Sequence, residues 1–350
     1  MSCLSTCSRR RFVMRGGAAA LAVIGAPALA QSAPTRIRYQ LDWRFEAGTA
    51  AHVLALRKGY FAEEGLDVSL NVGAGAAATV TRLASGNFDM GTGDLSSLAE
   101  FAGNNGTSPA LAVMALYETT PAAVISLKKS AIARPADLKG KVLAAPANDG
   151  ARRIFPLFAN ANGLDAQSDV KWMSVEPAIR ETLLARGQVD AITGYVASGF
   201  VSLQRLGVSP DDISMMRFAD FGVPLYGNAV LASKPFLQEK PAAVAAYLRA
   251  LTRGYRDAAA DRAGAVAALK AHEPLVDEKI EALRLDVILD QEIGTPKVRK
   301  AGIGGIDAAR YQRGIDALAA ALAFKSVPQA SALIDMRHLP AASARRIFPS

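Results

Sequence analysis

Past residue 7 the chain contains no cysteine; Cys3 and Cys7 are the two it has in 350 residues. A disulfide framework, a cysteine zinc site and a cysteine nucleophile are therefore not expected in the folded part. Histidine is nearly as scarce. His52, His272 and His338 lie far apart, with no partner at metal-ligating spacing, so no metal site is expected. Neither a Gly-x-Ser-x-Gly elbow nor a Walker loop occurs, and no cofactor is implied. Long apolar runs are also missing. The uncharged stretch Gly16–Ala30 is too short for a hydrocarbon core of about 30 Å.

That stretch has another meaning. Arg9-Arg10-Arg11-Phe12 precedes it and Ala28-Leu29-Ala30 closes it, the layout of an export signal cut near Ala30. The arginine pair has the twin-arginine form, which exports folded proteins. Residues 1–30 are thus read as a signal and the product as a soluble periplasmic monomer. Setting Arg9, Arg10, Arg11 and Arg15 aside leaves 36 basic against 32 acidic residues. No basic tract remains, so nucleic acid is not an expected partner.

From Arg36 onward short strands alternate with amphipathic helices. Strands are expected at Ile37–Leu41, Leu66–Val72 and Phe88–Gly93, with helices at Ala51–Phe61 and Ala77–Ser85 between them. This βαβαβ order predicts a parallel sheet with right-handed crossovers. The grammar recurs about a hundred residues later. Leu83-Ala84-Ser85-Gly86-Asn87-Phe88-Asp89-Met90-Gly91-Thr92-Gly93 aligns with Leu184-Ala185-Arg186-Gly187-Gln188-Val189-Asp190-Ala191-Ile192-Thr193-Gly194. Two lobes of like topology follow, an α/β architecture with a mainly parallel sheet in each. Extended crossings at Tyr117–Ser126 and Gly222–Ser233 form a two-strand hinge. Lobe 1 is assigned residues 31–123 and 226–350, and lobe 2 residues 124–225. The helical remainder from Lys234 is expected to return to lobe 1.

Ligands of open parallel sheets bind beyond the carboxyl ends of the strands. Asp42, Trp43, Arg44, Phe45 and Glu46 follow the first strand, where rings can stack and a guanidinium can pair with an anion. Gly73-Ala74-Gly75 imitates a dinucleotide fingerprint but has no counterpart in the second repeat; Gly75 is better read as a helix N-terminus offering N–H groups. Asp149 either caps the helix after it or lines the cleft, and Arg152 or Arg153, but not both, faces inward. Asp94 and Tyr195 close the two repeats, preceded by Thr92 and Thr193. Tyr226 and Asn228 sit on the second crossing. Asp89 and Asp190 are expected to serve local backbone rather than ligand.

These residues carry a resemblance. Leu41-Asp42-Trp43, Lys58-Gly59-Tyr60-Phe61-x-x-Glu64-Gly65-Leu66-Asp67-Val68 and Pro135-Ala136-Asp137-Leu138-Lys139-Gly140 resemble the substrate-binding proteins of the nitrate/sulfonate/taurine and thiamine-pyrimidine-precursor (NMT1/THI5-like) importers. The resemblance implies a type II periplasmic binding protein that delivers a small molecule to an ABC permease. It strengthens Trp43 as a ligand contact. The stretch Trp43-Arg44-Phe45-Glu46 departs from the pyrimidine branch, which follows its Trp with a Thr-Pro-Asn type segment, so pocket chemistry differs there. A planar polar or anionic ligand is expected: a pyrimidine, an aromatic carboxylate or a sulfonate. The competing reading is an exported enzyme using the same cleft, with Asp94 or Glu46 as acid or base.

Overall fold

The computed structural model describes residues 33–223 and 225–349. The segment read as an export signal, Pro224 and Ser350 lie outside the described residues. In chain order the first lobe opens with β1 (Thr35–Gln40), α1 (Ala50–Arg57), α2 (Tyr60–Glu63), β2 (Leu66–Asn71), α3 (Ala76–Ala84), β3 (Met90–Asp94), α4 (Leu95–Asn105) and β4 (Ala110–Ala115). The second consists of β5 (Ala122–Leu127), β6 (Val142–Ala145), α5 (Gly150–Ala161), β7 (Lys171–Ser174), α6 (Arg180–Ala185), β8 (Ala191–Tyr195), α7 (Val196–Arg205) and β9 (Ile213–Arg217). After β10 (Asn228–Ser233) come α8 (Lys234–Glu239), α9 (Pro241–Ala260), α10 (Arg262–His272), α11 (Glu278–Val287), a π turn (Ile288–Ile293), α12 (Pro296–Ala301) and α13 (Ala308–Leu322).

The strand orders are β2-β1-β3-β10-β4 and β7-β6-β8-β5-β9, the same pattern twice. In each sheet one strand runs against the others, and in each it is the strand entered from a crossing: β10 in the first and β5 in the second. The repeat seen in the sequence falls at equivalent places. Gly86 and Gly187 end α3 and α6 with φ of 73° and 69°, values glycine adopts without strain. Asp89 and Asp190 each accept a backbone N–H from the neighbouring strand, Arg38 within β1 at 2.7 Å and Val142 at the start of β6 at 2.8 Å. Both therefore align strands and stay clear of the cleft.

Two expectations change. The helix read across Ala51–Phe61 is broken, because Gly59 takes a left-handed conformation (φ 75°) that ends α1 before α2 starts. The helices after Lys234 also do not keep to the first lobe. α9 and α10 pack on α1, but α11 lies against α7, and α13 lies against both α4 and α5. Leu318 of α13 is buried in the second lobe's cluster of Phe155, Phe158 and Phe218, which draws that helix across. In the first lobe, Phe61, Tyr247 and Tyr39 stack at 4.8 and 4.9 Å behind β1.

The crossings run side by side. Thr120 donates its N–H to the carbonyl of Leu225 at 2.8 Å, and Gly227 donates to Tyr117 at 3.1 Å. Two paired segments that carry the chain between the sheets form a natural hinge.

Candidate functional site

The carboxyl ends of β1, β3, β6 and β8 meet from opposite sides around a chamber of about 60 Å³. Helix starts converge on it. Asp94 caps α4 by accepting from Ser96 (2.8 Å) and Ser97 (3.2 Å), and Asp149 caps α5 through Arg152 N–H at 3.0 Å. The start of α7 has no side-chain cap of its own. Its first-turn groups turn to the other lobe instead: Glu292 of the π turn accepts the Ala197 N–H at 2.9 Å, and Glu46 accepts from the Ser198 hydroxyl. These two acceptors satisfy donors that the start of α7 would otherwise leave to solvent.

A polar relay spans the cleft. Tyr195 of the second lobe donates to Asn228 Oδ1 at 2.7 Å, with Asp94 Oδ2 at 3.4 Å. Asn228 in turn donates to Asp42 Oδ2 at 2.6 Å. Tyr117 meets the Tyr195 ring edge-on at 6.0 Å. Trp43 lies between two guanidinium groups, Arg44 at 5.9 Å and Arg180 at 5.5 Å from its ring. Its indole N–H is buried and has no acceptor among the described residues.

The electrostatics lean acidic. Burial pushes Asp42 up to about 7, assisted by the charges of Glu46 and Asp94 and resisted by the Asn228 bond. Burial likewise raises Asp94 to about 6 and Glu292 to about 7. Glu46 goes the other way: burial favours its neutral form, but Arg284 and Arg44 outweigh that and hold it below the usual range. His52, buried beside Tyr39, falls to about 3 and is neutral. The fully buried guanidinium, Arg180, is already committed. It donates to Glu181 at 2.5 and 3.0 Å, to Asp149 at 3.2 Å and to the Thr193 carbonyl at 3.1 Å. A Cβ on Gly194 would stand 2.6 Å from that guanidinium, so the glycine of the repeat is what admits it.

Of the residues singled out from sequence, Asp42, Trp43, Arg44, Glu46, Gly75, Asp149, Tyr195 and Asn228 line the chamber, and Asp94 stands behind Tyr195. Others do not reach it. Phe45 turns outward onto His272, edge-on at 4.6 Å. Arg152 folds back to the Ala145 carbonyl and Ser174, over Trp172 at 4.7 Å. Arg153 pairs with Glu100 across the cleft, so neither arginine faces the chamber. Thr193 is buried behind Arg180. Tyr226 points away and accepts the Asp307 N–H at 2.9 Å. Arg180, Tyr117, Ser198, His52 and Glu292 escaped the sequence reading; Arg180 looks like a surface charge on a short helix.

Gly75 has a specific task. It adopts φ 122°, and a Cβ there would come 2.3 Å from the Asn148 carbonyl of the other lobe. Gly75→Ala is expected to hold the lobes apart, with a larger radius of gyration in X-ray scattering and at least ten-fold weaker ligand binding. An unchanged radius would show that the contact does not limit closure.

A two-lobed cleft of this topology defines the periplasmic-binding-protein fold. The chain belongs to the family described as NMT1/THI5 like, which matches residues 47–265. A curated relative, the formylaminopyrimidine-binding protein of Halalkalibacterium halodurans, is 26% identical over 262 residues, covering 73% of this chain and 77% of the relative. Among solved structures, the alkanesulfonate-binding protein SsuA of Xanthomonas axonopodis, bound to MOPS, superposes with a TM-score of 0.68. Identity there is 17%, with 87% of this chain and 99% of that one covered. The periplasmic aliphatic sulphonate binding protein of Escherichia coli gives 0.65 at 16% identity, covering 87% and 92%. At such identities the structures establish the fold alone. The curated relative and the two solved structures above are described as binding proteins, and among the described residues no helix is long and apolar enough to cross a membrane.

Proposed function

We propose that this chain is the periplasmic solute-binding component of an ABC importer, exported as a monomer, and that it captures a planar, N–H-rich heterocycle of the aminopyrimidine kind. The observation that carries the ligand class is the composition of the chamber. Asp42 and Glu292 are hydrogen-bond acceptors held at the edge of ionisation on the chamber wall, beside the rings of Trp43, Tyr117 and Tyr195. Such a wall suits a flat ligand that donates hydrogen bonds. A sulfonate, nitrate or aromatic carboxylate would need uncommitted cations; Arg180 has none to spare, and Arg44 is held by Glu46 at 3.3 Å. The curated relative described as binding formylaminopyrimidine supports the same class.

Capture proceeds by hinge closure about the crossings, with lobes at 31–123 plus 226–350 and at 124–225. Ligand contacts made only in the closed form supply the shift in population. Turnover is a weaker reading. Ser198 and Glu46 form the nearest hydroxyl–carboxylate pair, but two guanidinium groups lower the basicity of Glu46.

A thermal-shift series with aminopyrimidines, alkanesulfonates, nitrate and aromatic carboxylates tests this. An aminopyrimidine at a hundred times its Kd is expected to add about 2.7 kcal/mol. Trp43→Ala is expected to weaken binding at least thirty-fold. Stabilisation by sulfonates or carboxylates alone would overturn the ligand class.

A further inference from the structure

Four carboxylates and two guanidinium groups line the ligand chamber, and their charges do not cancel locally. Glu46 has Arg44 and Arg284, each at 3.3 Å, and Asp149 has Arg180 at 3.2 Å. The other two, Asp42 and Glu292, have no ion-pair partner among the described residues. Asp42 Oδ2 is held by the neutral amide of Asn228, and Glu292 Oε1 by the Ala197 backbone N–H. Their second oxygens, Asp42 Oδ1 and Glu292 Oε2, receive no hydrogen bond from another described residue, yet neither is sealed away as the Trp43 indole N–H is. Both therefore open on the space that a ligand fills.

A buried carboxylate without a counter-charge either keeps its proton or needs a cation. The chain supplies no such cation here. Arg44 is held by Glu46, and Arg180 is shared among Glu181, Asp149 and the Thr193 carbonyl. Arg217, the charge that acts on Glu292 from β9, donates to Gln291 instead. The other titratable neighbours are acids or stay neutral. Glu46 and Asp94 act on Asp42, and Glu46 acts on Glu292. The Tyr117, Tyr195 and Tyr255 hydroxyls resist ionisation through burial, and His52 on the same wall is uncharged. The rings of those three tyrosines line the space as well, and aromatic faces attract a flat cation.

We infer that the ligand is bound as a cation, a planar N–C–N group of the amidinium type that supplies the counter-charge Asp42 and Glu292 lack. Its N–H edges donate to the open carboxylate oxygens, and its faces rest against the tyrosine rings. A neutral ring fills the same shape but leaves the carboxylates their protons. A fixed cation displaces those protons, so its capture releases them to solvent. This deepens the proposed function and rests on its reading of a flat, N–H-rich ligand.

Calorimetry with isosteric pairs separates charge from shape: benzamidine against benzamide, and phenylguanidine against phenylurea. At pH 8 the cation of each pair is expected to bind at least ten-fold tighter than its neutral partner. Asp42 and Glu292, at about 7 in the ligand-free protein, take up protons as pH falls. Cation affinity is therefore expected to drop at least ten-fold from pH 8 to pH 5.5, while benzamide changes less than three-fold. Heats at pH 7 in buffers of different ionisation enthalpy should show protons released by the cations. Asp42→Asn should erase the preference for benzamidine and keep benzamide within three-fold, and Glu292→Gln is the second neutralising variant. Equal binding within each pair at pH 8, cation affinity that holds steady to pH 5.5, or a preference that survives both variants overturns the cation and leaves the flat, N–H-rich ligand standing. Failure of both cations while neutral aminopyrimidines bind does the same. Failure of all four probes and of every aminopyrimidine overturns both readings.

Discussion

Replacing Arg180 by alanine is expected to lower the unfolding free energy by about 3–5 kcal/mol, the effect of stripping one partner from a buried ion cluster. The guanidinium is 1% exposed and satisfies Glu181, Asp149 and the Thr193 carbonyl together. Its removal leaves two carboxylates facing each other without compensation and takes the cation from the Trp43 ring. Asp149 also caps α5, so its repulsion from Glu181 is passed to a helix start at the chamber wall. Urea titration followed by circular dichroism reads the loss. Arg180→Met combined with Glu181→Met removes one carboxylate together with the guanidinium, leaving Asp149 without a facing carboxylate, and is expected to recover part of the stability. A change below 1 kcal/mol for the alanine variant would mean that water enters and solvates the cluster.

The second large effect is on pH. Asp42, Asp94 and Glu292 stand at about 7, 6 and 7 in the folded protein, against ordinary values of 3.8, 3.8 and 4.5. A raised folded value means the native state holds the proton more tightly than the unfolded chain. That contribution is complete below about pH 4 and is lost as pH rises through 6 to 7. The ligand-free protein should therefore lose stability between pH 5 and pH 8, on the order of a few kcal/mol. Asp290 beside Arg262 and Asp335 beside Arg337 sit below the usual carboxylate range and are already ionised by pH 5, while His52, kept neutral by burial, opposes the fall as pH rises to its ordinary 6.5 and offsets part of it. Thermal midpoints taken across that window would show the fall, and Asp42→Asn should flatten it and raise the midpoint at pH 8. A midpoint that climbs from pH 5 to pH 8 would contradict the burial of these three groups in their protonated form.

Much of the architecture was legible because it rests on short-range signals. Gly86 and Gly187 mark equivalent helix ends, Asp89 and Asp190 equivalent strand starts, and Asp94 and Tyr195 come next at equivalent helix starts. From these the facing walls could be placed without knowing any contact between them. Individual side chains at the cleft were harder. Trp43 and Phe45 are two residues apart in a loop, and nothing local says that the first faces the chamber and the second His272. Arg152 was drawn away by the ring of Trp172 and the Ala145 carbonyl, partners set by the packing of α5 on β6 and β7. Glu292 lies 95 positions along the chain from Ala197, whose N–H it accepts, and no local pattern places a C-terminal segment across two lobes.

The π turn at Ile288–Ile293 has a consequence for how this chain could change its length. A π turn accommodates one residue more than an α-helix of the same span, and Ile288 and Glu292 of this one both line the chamber. Deleting a single residue inside it would let the helix continue in α form and shift the side chains within the turn by one position, while the chain beyond keeps its place. Glu292 would leave the start of α7, and a neighbour in the chain would replace it opposite Ala197. One codon gained or lost there would exchange the chemistry of the chamber's wall and the clasp on the second lobe in one step, without altering either sheet.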